Sequence, residues 1–221
     1  DGGMLPPATV DMAVERVVPG AVEYDFTGRV LPMDFQWLRT PVPERIFQMT
    51  GTSLRLIGRE SLGSWFEQSL VARRQDEPSY SAECDVIADP PNWQRAAGLI
   101  TYYNRHKFHA ALVTREGGER VVTLVSCEGD WPGEALTFHG RFPVAEGKVT
   151  LGVSVDRAVQ RFSVNGVAVG PILDASVVSD EGGRGEHASF TGAFVGVVAH
   201  DLTGQGWTAD VTRFRYAPKA D

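Results

Sequence analysis

The 221-residue sequence is poor in cysteine, in basic charge and in long apolar runs. No run is long enough to cross a membrane as a helix, and 21 Lys and Arg against 28 Asp and Glu give a formal net charge of −7. Partners bound mainly through phosphate charge, such as nucleic acid or an anionic membrane, are therefore not expected. The two cysteines, Cys84 and Cys127, lie in apolar runs, which favours buried free thiols over a disulfide scaffold.

A secretory leader, with a charged segment followed by an apolar one, is also missing, so a signal peptide is either absent or already removed. The sequence therefore does not determine the compartment. Residues 1–21 are rich in Gly and Pro and have little periodicity, which is typical of a linker or an extended arm. We expect one folded domain over residues 22–221.

Long amphipathic helical patterns are absent after residue 20. What is present is about a dozen short runs, rich in β-branched and aromatic residues and separated by Gly, Asn or Asp. The clearest turn is Asn165-Gly166, between RFSV and VAVG, which predicts a two-residue type I′ hairpin. The series predicts an all-β fold, an antiparallel two-sheet β-sandwich in one domain.

The stretch from Gly98 to Arg115 predicts a hairpin at the centre of a sheet, because both of its faces are largely apolar. Two apolar runs flank the polar residues 104–107, which we interpret as the loop. The facing pairs would then be Tyr103 with Phe108, Thr101 with Ala110 and Leu99 with Leu112.

With this register Tyr102 and His109 would be cross-strand neighbours on the other face. They could line a concave groove and bind a ligand there. The alternative is a pair of core residues whose polar tips are satisfied inside the protein.

Three tryptophans, Trp65, Trp131 and Trp207, fall in loops or at strand ends rather than at alternating core positions. Sugar rings stack their apolar faces on aromatic planes while nearby polar groups bind the hydroxyls, so these side chains are candidate sugar-binding residues. Packing at a domain interface or in a satellite core is the alternative.

The charged residues suggest no cofactor. Asp174, Asp180, Glu181 and Asp201 could be oxygen ligands of a structural calcium ion, but they lack EF-hand spacing and solvated loop charge explains them more simply. The histidines His106, His139, His187 and His200 lack the paired spacing of a zinc site, and no G-x-S-x-G motif marks a serine hydrolase. The arginines Arg55, Arg59, Arg73 and Arg74 are expected to form ion pairs with acidic neighbours.

Several longer motifs follow one another along the chain: LRTPVPE (38–44), SLRLIGRESLGSWFEQSLVARRQ (53–75), AAGLITYYN (96–104), LDASVVSDE (173–181), FTGAFVGVVAHDLTG (190–204) and ADVTRFRY (209–216). This series resembles the C-terminal domain of family 43 β-xylosidases, which is also classed as carbohydrate-binding module family 91. The resemblance spans about residues 34–216 and implies a concanavalin-A-like jelly-roll sandwich.

In that family catalysis belongs to a separate five-bladed propeller that carries the catalytic carboxylates. Five blades of about 40–50 residues each do not fit in this chain beside a sandwich, so we expect it not to be an enzyme by itself. The resemblance implies a carbohydrate-binding module for xylan or xylo-oligosaccharides, with the propeller as its partner.

The alternative is a structural accessory domain that braces the propeller of a β-xylosidase. The resemblance then places Phe190, on the loop before TGAFVG, at the rim of the propeller's sugar pocket. A Phe190 side chain that only closes the end of the sandwich is the simpler alternative.

Overall fold

The computed structural model describes residues 19–129, 136–180, 182 and 192–219. The strands in these residues are β1 (Val22–Tyr24), β2 (Phe35–Trp37), β3 (Phe47–Met49), β4 (Leu54–Ile57), β5 (Ser69–Arg74), β6 (Ser79–Ile87), β7 (Arg95–Asn104), β8 (Lys107–Glu116), β9 (Glu119–Glu128), β10 (Leu136–Pro143), β11 (Lys148–Asp156), β12 (Val159–Val164), β13 (Val167–Asp174), β14 (Phe194–Asp201) and β15 (Thr208–Pro218). Two 3-10 helices, Pro43–Arg45 and Ala175–Val178, complete the described elements. Neither is long enough to cross a membrane.

The strands form two antiparallel sheets. The larger sheet has the order β13-β12-β11-β6-β15-β4-β3, with β1 also paired to β15, and the smaller has the order β10-β9-β8-β7-β14-β5-β2. We refer to these as the eight-stranded and the seven-stranded sheet. The predicted all-β, two-sheet antiparallel sandwich is confirmed.

The turn at Asn165-Gly166 has the predicted geometry. Both residues have positive φ, 49° and 80°, as a type I′ turn requires, and the flanking Val164 and Val167 are paired. Asn and Gly adopt this backbone region at lower cost than other residues, so the local sequence determines the hairpin.

The main core fills the space between the two sheets. On β11 the alternating residues Val149, Leu151, Val153 and Val155 all point into it, as the period of two in a strand requires. Each large apolar side chain buried in this way contributes about 1.5–3 kcal/mol. Cys84 belongs to this core and Cys127 to a second apolar layer, and both are buried free thiols, as predicted.

That second apolar layer covers the outer face of the seven-stranded sheet. Ile100, Tyr102 and Phe108 contribute to it, and Leu62 from the loop between β4 and β5 packs over them. This loop explains why β7 and β8 are apolar on both faces. The central position predicted for the hairpin is confirmed, because β7 and β8 have neighbours on both sides.

The predicted register of the hairpin is wrong by one residue. Asn104 pairs with Lys107, so the turn contains only Arg105 and His106, and a β-bulge at Tyr103 follows. The observed pairs are Tyr102 with Phe108, Thr101 with His109, Ile100 with Ala110 and Leu99 with Ala111. Because side chains alternate between faces, Tyr102 and His109 lie on opposite faces of the sheet.

The first strand begins at Val22, where the sequence predicts the folded domain to start. Residues 1–18 lie outside the described residues, so the linker assigned to 1–21 and the single domain assigned to 22–221 stay predictions.

Candidate functional site

Two cavities open on the outer face of the seven-stranded sheet. The first, which we call the turn cavity, has a volume of about 420 Å³ and lies beside the β7–β8 turn. The second, the sheet cavity, has a volume of about 620 Å³ and runs over β8 and β9. Arg105 borders both, and both volumes fall in the range of small-ligand sites, about 300–1,000 Å³.

The turn cavity is built from four separate segments of the chain. Trp37 comes from β2, Trp65 from the β4–β5 loop, Arg105 from the β7–β8 turn and Phe194 from β14. Aromatic and cationic side chains thus meet at the end of the sheet where the predicted central hairpin turns.

A buried amide fixes the loop that carries Trp65. The side-chain nitrogen of Gln68 donates to the carbonyl oxygens of Leu62, at 2.7 Å, and Ser64, at 2.8 Å. Its side-chain oxygen accepts a longer hydrogen bond, 3.4 Å, from the hydroxyl of Tyr102. Gln68 therefore links the loop to the sheet below it.

The indole of Trp65 is in contact with cations and is still accessible. The Arg105 guanidinium carbon lies 3.8 Å from the ring centroid and that of Arg39 lies 5.4 Å away. The His106 ring approaches edge-on at 6.1 Å. The residue is nevertheless 55% exposed, so part of the indole remains open to a ligand.

Tyr102 forms part of the floor of the turn cavity. It is 3% exposed and its ring stacks beside Phe108, with centroids 6.4 Å apart. Burial raises the pKa of its hydroxyl to about 12, so the group is neutral and acts as a hydrogen-bond donor near pH 7.

His109 is fully buried on the opposite face. Its Nδ1 lies 2.6 Å from the Ser126 hydroxyl and its Nε2 lies 3.0 Å from the carbonyl oxygen of Asp174. Burial lowers the pKa of the imidazole, which favours the neutral ring. The expectation that Tyr102 and His109 line one groove is therefore wrong, because the sheet itself separates them.

The other aromatic candidates have different positions. Trp207 is half-buried against the core between the sheets, its Nε1 donates to the Asp89 carbonyl at 3.3 Å, and it lines neither cavity. Trp131 and Phe190 lie outside the described residues, so their binding roles stay predictions.

Sequence reasoning missed the tryptophans and arginines that complete these cavities. Trp37 is exposed and lines the turn cavity, although no pattern in the sequence marks it as a candidate. Exposed Trp93 and Phe138 line the sheet cavity. The sequence places Arg105 at a turn between two strands, which is the one indication that it could lie at a site. No local pattern indicates its contact with Trp65.

The ion pairs expected for Arg55, Arg59 and Arg73 are confirmed. Arg55 pairs with Asp210, Arg59 with Glu67 and Arg73 with Asp76. The guanidinium carbon of Arg74 lies 4.9 Å from the Phe194 ring centroid, and Arg74 lines the turn cavity.

Among the acidic residues, Asp201 is not a solvated loop charge as expected. Its side chain is buried, with Oδ1 3.3 Å from the Arg95 Nε. Burial alone would raise its pKa, but hydrogen bonds from Thr203 and the Trp207 backbone, with the charge of Arg95, hold the pKa below its usual value. The buried pair therefore carries a structural role at the end of β14.

The other carboxylates proposed as calcium ligands are dispersed. Asp174 accepts from the Ser176 backbone N–H at the start of a 3-10 helix, Asp180 accepts from the Tyr103 hydroxyl at 2.6 Å, and Glu181 lies outside the described residues. Over the described part of the chain, no group of three or more His, Cys, Asp or Glu side chains could hold a metal ion.

A further cavity of about 490 Å³ is lined by more acidic than basic side chains. Asp76, Glu77 and Asp180 line it, with Arg157 as the one basic residue among its described lining residues. The acidic and the cationic-aromatic cavities thus offer different chemistry to a ligand.

Comparison with known proteins places this architecture in a family. Residues 23–217 match the model of the β-xylosidase C-terminal concanavalin A-like domain. The chain belongs to this family. The match covers both sheets and includes every described residue that lines the turn cavity.

Relatives of this concanavalin A-like domain are xylosidases. The chain is 44% identical over 203 residues, 85% of its length, to xylosidase/arabinosidase 43B of Humicola insolens, and 35% identical over 213 residues, 91% of its length, to a putative β-xylosidase of Escherichia coli K12. The crystal structure of xylan β-1,4-xylosidase from Bacillus halodurans C-125 superposes with a TM-score of 0.81 at 29% identity, covering 96% of the chain.

The concanavalin A-like domain corresponds to only part of each of these proteins. It spans 37% of the Humicola protein, 39% of the Escherichia coli protein and 41% of the Bacillus halodurans chain. Similarity over this part alone therefore does not assign the activities of those whole proteins to this chain.

Proposed function

We propose that the chain is a non-catalytic carbohydrate-binding module that recognises xylan or xylo-oligosaccharides and works beside a family 43 catalytic domain. The observation that carries the proposal is the turn cavity, which the accessible indole of Trp65 lines together with exposed Trp37 and buried Tyr102. Aromatic planes of this kind stack on the apolar faces of sugar rings.

The polar groups around the turn cavity suit sugar hydroxyls. Gln36 and Asn104 are among its lining residues, and side-chain amides can both donate and accept hydrogen bonds. The Asn104 oxygen already accepts from the His106 backbone N–H at 2.8 Å. A small number of polar groups within an aromatic lining is the usual composition of a small-molecule site. The xylosidase names of the relatives make xylan-derived sugars the first ligands to test.

Affinity electrophoresis in gels that contain xylan tests this proposal. Wild-type chain should be retarded, and Trp65→Ala should migrate almost as it does in a xylan-free gel. The matched control is Phe66→Ala, since Phe66 is the adjacent aromatic residue, is 78% exposed and lines neither cavity. Unchanged mobility of the folded wild-type chain across several xylans would exclude the binding function, and hydrolysis of aryl xylosides would contradict its non-catalytic part.

A second candidate function is a structural accessory domain that braces the catalytic propeller. It is favoured by the share of the relatives' length that the chain spans, 37% to 41%, since a further part of those proteins is available as a partner. In this function Phe190 completes the rim of the propeller's pocket.

Mixing the chain with a separately expressed family 43 propeller tests the second function. Xylosidase activity should rise on mixing, and the rise should be smaller with Phe190→Ala. An equal rise with the Phe190→Ala variant would count against the rim role, and no rise at all would count against bracing.

A further inference from the structure

The sheet cavity follows β8 along almost its whole length. Phe108, the second residue of the strand, and Glu116, its last residue, both line the cavity, with Leu112 and Thr114 between them. These side chains share one face of the sheet because successive residues of a strand alternate between faces. From residue 108 to residue 116 a strand rises about 27 Å, at about 3.4 Å per residue. The sheet cavity is therefore a groove much longer than one sugar ring.

One end of the sheet cavity adjoins the turn cavity. Arg105 lines both, and the β4–β5 loop contributes Gly63 to the sheet cavity and Trp65 to the turn cavity. Gly63 is exposed, and a Cβ atom placed on it would meet nothing within 4 Å. The loop thus leaves open space beside this residue, where a chain-like ligand can pass from one cavity to the other.

Two exposed aromatic side chains line the sheet cavity. Trp93, in the loop before β7, is 62% exposed, and Phe138, on the edge strand β10, is 64% exposed. Strands β8 and β9 lie between β7 and β10, so these two strands are three spacings apart, about 14 Å at about 4.8 Å per spacing. At this separation the two rings face different units of a long ligand.

The sheet cavity also offers hydrogen-bonding groups. His200 lines it, and over the described residues its imidazole makes no hydrogen bond. Burial lowers the pKa of His200 to about 4, so the ring is neutral near pH 7 and has one donor and one acceptor. The ion pair of Arg141 with Glu116, at 2.5 Å, adds further polar groups. Aromatic and apolar surface with a few polar groups suits a sugar better than a purely apolar partner.

We propose that the sheet cavity extends the turn cavity into one xylan-binding groove, in which Trp93 and Phe138 stack on further sugar units of a chain held at Trp65. This inference rests on the proposed xylan-binding function and specifies its ligand, a long stretch of xylan rather than a short xylo-oligosaccharide. The second contact is intramolecular once Trp65 holds the chain, so it strengthens binding even where the sheet cavity alone binds weakly.

Isothermal titration calorimetry with xylotriose and xylodecaose tests the inference. The measured quantity is the ratio of the two affinities. A decasaccharide contains several overlapping trisaccharides, which raises this ratio by the same statistical factor in every variant. In Trp93→Ala and in Phe138→Ala the ratio should be at least about fivefold lower than in the wild type, which corresponds to about 1 kcal/mol. Xylotriose affinity should be unchanged, because neither residue lines the turn cavity.

Phe66→Ala is the matched control. It also removes an exposed aromatic side chain, and Phe66 lines none of the three cavities. Its ratio should equal that of the wild type. Thermal melts of all variants establish that each is folded.

The same ratio in the wild type, Trp93→Ala and Phe138→Ala would overturn the inference and leave xylan binding intact, whereas a wild-type chain that binds neither ligand would overturn the proposed function as well. An equal loss of xylotriose and xylodecaose affinity in the two variants would also contradict the inference. If Trp93→Ala instead changes the oligomeric state in sedimentation and leaves the ratio unaltered, the sheet cavity is a contact between copies of the chain and the inference is wrong.

Discussion

The guanidinium carbon of Arg105 lies 3.8 Å from the ring centroid of Trp65, although the two residues are 40 positions apart in the sequence. This cation–π contact joins the turn of the central hairpin to the loop that crosses the outer face of its sheet. Such contacts provide about 0.5–2 kcal/mol, depending on how far they are desolvated. The same contact positions an accessible indole at the turn cavity, so the structural hairpin and the candidate site are physically connected.

Replacement of Gln68 by Leu should release the loop that carries Trp65. The variant leaves the Leu62 and Ser64 carbonyl oxygens without their buried donor, which costs about 1–3 kcal/mol. We therefore expect a lower free energy of unfolding in urea and weaker retardation by xylan. Gln48→Leu, at an exposed position on β3, is the control and should change neither quantity by much. An unaltered free energy of unfolding in Gln68→Leu would show that the loop is held by other contacts.

Gly98→Ala should strongly destabilise the seven-stranded sheet. A Cβ atom at Gly98 would lie 1.9 Å from the carbonyl oxygen of Ala111 on the neighbouring strand, so the backbone of β7 or β8 would have to move. Overpacking of this kind costs about 1–3 kcal/mol or more. The control is Gly63→Ala, where a Cβ atom meets nothing within 4 Å. Similar melting temperatures for the two variants would contradict the close approach of β7 and β8.

Asp201→Ala should be more destabilising than loss of an exposed ion-pair partner. It removes the carboxylate beside the buried Arg95, and an uncompensated buried charge costs about 3–5 kcal/mol. Asp89→Ala is the comparison, because Asp89 pairs with Arg115 while its side chain is 82% exposed, and such pairs contribute about 0–1 kcal/mol. Denaturant unfolding of both variants measures the difference, and equal losses would argue against the buried pair.

Stability should fall as the pH decreases from about 6.5 to 4, because of two histidines that the fold keeps neutral. Burial lowers the pKa of His200 to about 4 and also lowers that of His109. In this window the unfolded chain, with a histidine pKa near 6.5, binds protons that the native state does not, so unfolding is favoured. The contribution of His200 alone is about 2–3 kcal/mol at pH 4.5, from 1.36 kcal/mol per pKa unit.

The variant His200→Gln isolates that contribution. Its free energy of unfolding should depend less on pH between 6.5 and 4 than that of the wild type, whereas the two proteins should differ less in slope above pH 7.5. A wild-type stability that is constant from pH 7 to 4.5 would be inconsistent with imidazoles that the fold keeps neutral.

The sequence alone predicts those parts of the structure that depend on local chemistry. Asn165-Gly166 predicts its turn because both residues tolerate positive φ, and the alternation of apolar residues predicts strands such as β6 and β11. The register of the hairpin could not be predicted, since both faces of β7 and β8 are apolar and the pattern does not distinguish one alignment from the next. The bulge at Tyr103 then moved every facing pair by one residue.

The candidate site was less predictable, because it depends on tertiary contacts. Trp65 and Trp207 have the same signal in the sequence, a tryptophan in a loop, yet one is accessible at a cavity and the other is half-buried against the core. Arg39, Arg74 and Arg105 come from three segments that only the folded sheet brings together. Family resemblance predicted the fold, but not this cationic-aromatic cavity.

The most direct test of the central claim, that the turn cavity binds xylan-derived sugars, is a titration with xylohexaose followed by the indole N–H signals in an NMR spectrum. The chain has five tryptophans, so each indole reports on one location. We expect the signals of Trp37 and Trp65 to shift with a common affinity and that of Trp207 to stay unchanged. A shift of Trp207 without Trp65, or no shift of Trp37 and Trp65 at saturating sugar, would contradict the account.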